Sequence, residues 1–121
     1  MVTDINSFLR LKGSSGKEYI FDLYEFDYFP NLGESFNAIS ALYLFTSRYW
    51  DGESYKHELI YLGETSDLSK RFASHHKEDG IMSYGANCIG IFAFVGPEFQ
   101  RKAAERDILN TYDFPCNNIN N

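Results

Sequence analysis

The chain opens with two runs in which apolar and polar side chains alternate, Phe8-Leu9-Arg10-Leu11-Lys12 and Lys17-Glu18-Tyr19-Ile20-Phe21, separated by Gly13-Ser14-Ser15-Gly16. Alternation is the period of a half-buried strand, and the Gly/Ser segment tolerates positive φ, so a β-hairpin is predicted. Its second arm extends through Asp22-Leu23-Tyr24-Glu25-Phe26 until Phe29-Pro30-Asn31-Leu32-Gly33 interrupts it. Two short apolar runs follow, Ala41-Leu42-Tyr43-Leu44-Phe45-Thr46 and His57-Glu58-Leu59-Ile60-Tyr61-Leu62, joined by a polar excursion through Trp50-Asp51-Gly52-Glu53. They read as antiparallel strands, and Cys88-Ile89-Gly90-Ile91-Phe92-Ala93-Phe94-Val95 as a third that stops at Gly96-Pro97. The period changes to that of a helix over 66–76, with Thr65 or Ser66 placed to cap it, and again over 98–112, which Pro97-Glu98 opens and which ends before Pro115.

These elements predict a mixed α/β fold. A small central antiparallel β-sheet built from residues 41–46, 58–63 and 88–95 is flanked by helices and extended by the amino-terminal hairpin. Residues 1–40 read as that extension packed on a core of residues 41–118, with 119–121 as a tail. No internal repeat or low-complexity stretch interrupts this plan.

Both helical stretches place polar groups where the period calls for apolar ones. On a wheel of ~100° per residue, Glu105 falls within the arc of Ala104, Ile108, Leu109 and Tyr112. In the upstream stretch Leu68, Arg71, Phe72 and His75 share one arc. An acid, a guanidinium and an imidazole beside apolar side chains are costly to bury unless they meet a ligand or each other, which marks them as candidates for one site.

Composition bounds the possibilities. With 121 residues, 44% apolar and 17% aromatic, the chain fills one core and leaves no room for a second ordinary domain. The amino terminus lacks the basic and apolar regions of a signal peptide, and no apolar run is long enough to span a bilayer, so an intracellular, cytoplasmic protein with no membrane partner is expected. Cys88 and Cys116 are far apart and are expected to be free thiols. Seventeen acidic against 11 basic residues give a formal charge of −6, the opposite of the usual nucleic-acid binder. The basic residues are nevertheless grouped locally as Lys70-Arg71, Lys77 and Arg101-Lys102, so a basic strip on an acidic body stays open.

Tyr43 and Tyr61 on adjacent strands, Gly63, Arg71 and His75 one turn apart, then Glu105 and Asn117 with Pro115 between them form an order that resembles the GIY-YIG nuclease family over roughly residues 40–118. Ala41-Leu42-Tyr43 stands at the family's first motif and Tyr61-Leu62-Gly63 at its second. Ala41 replaces a glycine, Leu62 an isoleucine, and the link between the motifs is longer than usual. The resemblance implies a divalent-metal-dependent endonuclease hydrolysing phosphodiester bonds, with nucleic acid as partner and DNA preferred. It implies one ion, Mg²⁺ or Mn²⁺, held by Glu105; a hard carboxylate oxygen is the ligand type Mg²⁺ takes. Arg71 is then the clamp on the phosphate oxygens, and Tyr43 or Tyr61 lies beside the attacking water, with a slight preference for Tyr43. The alternative to a tyrosine is His75 as the proton relay; Asn117 orients a neighbour, and Gly63 and Lys70 line the substrate.

Bland readings accompany each residue. Strand tyrosines are usually core aromatics with a bonded hydroxyl; Arg71 can pair with any carboxylate; Arg101, four residues before Glu105, is an obvious helix partner for it; and Lys70 reads equally as a solvated lysine. Glu64, directly after Gly63, places negative charge where a phosphate would approach. With no space for a specificity domain, a flap, branched or single-stranded substrate, or a protein partner that targets the enzyme, is expected. The rival reading is a catalytically inactive binding or adaptor module on the same fold.

Overall fold

A computed structural model describes residues 2–118, so the tail at 119–121 lies outside the described residues. Five strands, β1 (Val2–Lys12), β2 (Glu18–Phe26), β3 (Ala41–Trp50), β4 (Tyr55–Thr65) and β5 (Cys88–Ala93), form one antiparallel sheet in the order β1-β2-β5-β3-β4. Three helices, α1 (Leu68–Ala73), α2 (Glu78–Ser83) and α3 (Glu98–Leu109), flank it, with 3₁₀ segments at Phe29–Ser35 and Pro115–Asn118. This is a mixed α/β fold. Among the described residues, no helix is long and apolar enough to cross a membrane.

The interior position of β3, between β5 and β4, explains its unbroken apolar run. Side chains alternate between faces along a strand, and here both faces are covered. Tyr43 and Phe45 join Phe26, Phe29, Phe72, Ile89 and Cys116 in one core, while Leu42 and Leu44 join Phe21, Leu62, Ala104, Ile108 and Phe114 in the other. The amino-terminal hairpin is continuous with the sheet, because β2 pairs with β5 from Asp22↔Ile91 to Glu25↔Cys88. β1 begins earlier than the alternation predicts; a register shift between Asp4 and Phe8, with Asn6 at φ 51°, scrambles the period there. Both cysteines are buried and free.

The predicted helix over 66–76 is shorter and later. Asp67 is its cap, accepting from the Lys70 amide at 3.3 Å and from Ser69 Oγ at 2.6 Å, and the helix ends at Ala73 as Ser74 turns extended. Neither Thr65 nor Ser66 is the cap. His75 therefore lies beyond the helix, where its ring is buried against Phe29 and Tyr43. α2 has no counterpart in the sequence reading, since Ile81 is its single buried residue and leaves no period to read.

Candidate active site

Tyr43 and Gly63 face each other across the β3–β4 ladder. A Cβ at residue 63 would lie 2.5 Å from both Cζ and Oη of Tyr43, so the tyrosine ring occupies the space a side chain would take. Tyr43 is fully buried, and Tyr61, two residues before Gly63, lies beside it with ring centroids 6.1 Å apart and 7% of its surface exposed. The Tyr-Leu-Gly spacing thus stacks two phenols on one face of the sheet, with the more accessible one on the edge strand.

His75 fixes how those phenols share protons. The backbone N–H of Lys77 donates to His75 Nδ1 at 3.0 Å, which leaves Nδ1 without a proton in the neutral ring. Nε2 then carries the hydrogen and donates it to Tyr43 Oη at 2.7 Å. Burial, reinforced by His76, Arg71 and Lys77, pushes the His75 pKa down to about 3, so the neutral form persists at physiological pH. Tyr61 and Arg71 lie close enough to Tyr43 for their charges to act on its hydroxyl. Burial raises both phenols. Arg71 opposes the rise at both; the more complete burial of Tyr43 and the neighbouring Tyr61 push Tyr43 further up, whereas contact with Tyr43 pulls Tyr61 down. Tyr61 is therefore the more readily ionised of the two.

Glu105 approaches from the helix side. It is half-buried on α3, and its pKa is raised to about 6, first by burial and next by Glu64, against the opposing charges of Lys102, Arg106 and Arg71. Its field reaches Tyr61. Among the described residues, no ion pair or hydrogen bond ties up its carboxylate. Arg101, the partner expected from helix spacing, goes elsewhere: its Nε donates to Glu64 Oε1 at 3.0 Å, with the guanidinium almost fully buried. This pair ties Glu64 of β4 to α3. Sequence reasoning missed it, although Arg101 shares the buried face of Ala104 and Ile108, the signal that could have marked it.

Asn117 acts on the strand edge. Its Oδ1 accepts from the Leu62 amide and its Nδ2 donates to the Leu62 carbonyl, both at 2.8 Å, so one side chain satisfies the edge of β4 between Tyr61 and Gly63. Arg71, on α1, makes no ion pair among the described residues, and Lys70 beside it is exposed with its charge near Asp67. Tyr43, Tyr61, Arg71 and His75 thus gather at one point, Glu105 faces it from α3, Gly63 and Asn117 shape it, and Lys70 lies at its margin. Of the remaining histidines, His76 is exposed and stacks on His75, while His57 is half-buried and bonds Thr46 Oγ1 at 2.7 Å. Among the described residues, no group of three or more His, Cys, Asp or Glu is placed to hold a metal ion. The open depression on the outer side of α3, lined by Phe99, Lys102, Arg106 and Asn110, is separate from these residues. No protein-family model, curated protein or solved structure matches the chain.

Proposed function

We propose that the chain is a metal-dependent endonuclease that hydrolyses phosphodiester bonds, with DNA the preferred substrate. The observation that carries this reading is Glu105: a half-buried carboxylate with a pKa raised to about 6 and, among the described residues, no ion pair or hydrogen bond, near enough to Arg71 and Tyr61 for their charges to act on one another. A fold gains no stability from that arrangement, and a hard oxygen without a counter-ion suits Mg²⁺ or Mn²⁺ completed by water and by substrate phosphate. Such an ion, when bound, stabilises charge on the non-bridging oxygens and on the departing oxygen.

The chain's own groups supply the rest. Arg71 donates its fork to the phosphate oxygens. Tyr61, more accessible and more easily ionised than Tyr43, stands beside the attacking water and replaces Tyr43 as the preferred phenol. Burial raises its pKa most and the negative charge of Glu105 adds to the rise, so neutralising that charge favours the phenolate. Tyr43 and His75 hold its hydroxyl in place, and Asn117 fixes the strand beneath it. Lys70 contacts a flanking phosphate.

One observation favours a second reading, a nucleic-acid-independent binding module without turnover: a formal charge of −6 works against a polyphosphate partner. Incubation of purified protein with plasmid, branched and single-stranded DNA, with and without Mg²⁺ or Mn²⁺, separates the two. The nuclease reading requires metal-stimulated strand scission in at least one; intact DNA in all of them supports the binding module.

A further inference from the structure

β3 and β4 run on together past the site, pairing as far as Trp50↔Tyr55 at the turn. From Tyr43 to Trp50, at about 3.3 Å per residue, this arm reaches about 23 Å. Its tip exposes large aromatic surface: Trp50 is 57% exposed, Tyr55 53% and Tyr49 43%. Rings placed in water at the end of a projecting hairpin add nothing to a core and form an apolar patch of the kind used for contact.

The two faces of this tip differ. Directly paired residues share a face, so Arg48, Trp50, Tyr55 and His57 lie on one side and Ser47, Tyr49, Lys56 and Glu58 on the other. None of the four tip residues on the first side is a carboxylate, and Glu53 of the turn is exposed beside them. The Arg48 guanidinium lies over the Tyr55 ring, its Cζ 3.5 Å from the centroid, and Trp50 and Tyr55 meet in a T-shaped arrangement with centroids 5.1 Å apart. Asn87 pins this Arg48 by its backbone, accepting from the amide at 2.7 Å and donating to the carbonyl at 3.0 Å. Glu25 of β2 pairs with Arg48 at 3.6 Å. Asp51, at the turn itself, is occupied by the amides of Glu53 and Ser54.

We propose that this face stacks the unpaired bases of a single-stranded nucleic acid, with Trp50 and Tyr55 as the platform and Arg48 as the cation behind it. Every base offers a π-face, so an aromatic pair backed by a guanidinium binds single strands with little regard to sequence and gains nothing from a paired, fully stacked duplex. This inference rests on the nuclease reading and deepens it: an enzyme with such an arm selects flaps, branches or single strands over intact duplex.

Trp50 is the only tryptophan in the chain, so its fluorescence reports directly on the platform. In EDTA at low salt, a single-stranded oligothymidylate should quench Trp50 emission, and a blunt duplex of the same length should leave it unchanged. Anisotropy of a labelled oligonucleotide supplies a readout that does not depend on the tryptophan. Trp50→Ala and Tyr55→Ala, with circular dichroism unchanged, should each weaken single-strand binding by about tenfold or more. Equal quenching by duplex, undiminished affinity in both variants, absence of single-strand binding, or an emission change that follows protein concentration without DNA overturns the proposal, the last by showing that a second copy covers the tip. Because the binding assay holds no metal, its outcome is independent of cleavage; single-strand binding that persists without any cleavage once Mg²⁺ replaces EDTA counts against the nuclease alone. Cleavage with unaltered binding in Trp50→Ala counts against the platform alone.

Discussion

Replacing Glu105 by glutamine separates a functional acid from a structural one. The folded chain holds this carboxyl at about 6 instead of the ordinary 4.5, chiefly because burial disfavours its charge. The difference corresponds to about 2 kcal/mol at full value. Solvent screening at a half-buried site reduces it to about 1 kcal/mol. Glutamine keeps the shape and removes the charge, so Glu105→Gln should stabilise the metal-free protein. For a chain of this length the unfolding entropy is about 0.25 kcal/mol/K, which converts the gain into a melting temperature about 4 °C higher. The pH dependence follows from linkage. Between 4.5 and about 6 the folded state binds more protons at Glu105 than the unfolded state, so the wild type loses stability as pH rises through that window and stays lower above it. The advantage of the variant is therefore present at about pH 8 and gone at about pH 4, where both side chains are neutral. Thermal denaturation followed by circular dichroism in EDTA at those two values is the assay. Magnesium should narrow the gap at the higher pH by stabilising only the wild type. A variant that melts lower than wild type at about pH 8 refutes the reasoning, since it would mean that the carboxylate is held in a favourable ion pair.

Three further outcomes follow from the geometry. Gly63→Ala places a methyl group against a tyrosine ring that is fully buried and has nowhere to retreat, so it should cost about 1–3 kcal/mol in chemical denaturation; an unchanged midpoint contradicts the packing described. Asn117→Asp removes the donor to the Leu62 carbonyl and sets a carboxylate against it, which should cost about 1–3 kcal/mol and speed hydrogen exchange along the edge of β4, with no change at β1. His75→Gln should flatten the acid limb of stability: with the folded pKa at about 3 and the free value at 6.5, the wild type loses stability as pH falls through that interval, and a side chain that cannot take a proton removes the loss. An acid limb as steep in the variant as in the wild type assigns the titration to other groups.

What could be read from the sequence divides along local and long-range lines. The hairpin at Gly13–Gly16 and the pairing of β3 with β4 were legible because alternation and turn residues act over a few positions, and the coarse α/β plan followed from them. The proximity of Tyr43 to Tyr61 followed from the same pairing. The place of His75 did not, because burial against three aromatic rings outweighs the weak tendency of Ser74-His75-His76 to continue a helix. Nor did the choice of Arg101 for Glu64, which depends on how α3 docks on β4. The same holds for Asp107, whose carboxylate accepts from Ser14 Oγ, Ser15 Oγ and Tyr19 Oη at 2.7–2.9 Å and ties the first hairpin to α3. Contacts between residues some ninety positions apart leave no period to read.

Strand scission is the property on which the account turns. Purified wild type, Glu105→Gln and Arg71→Lys should be compared in single-turnover nicking of a branched DNA with Mg²⁺ and with EDTA. The account requires metal-stimulated nicking by the wild type, a loss of about a hundredfold or more in each variant, and little change in DNA affinity, since both side chains act on charge that develops at the phosphate. Equal nicking by all three proteins, or none by the wild type in either condition, contradicts it.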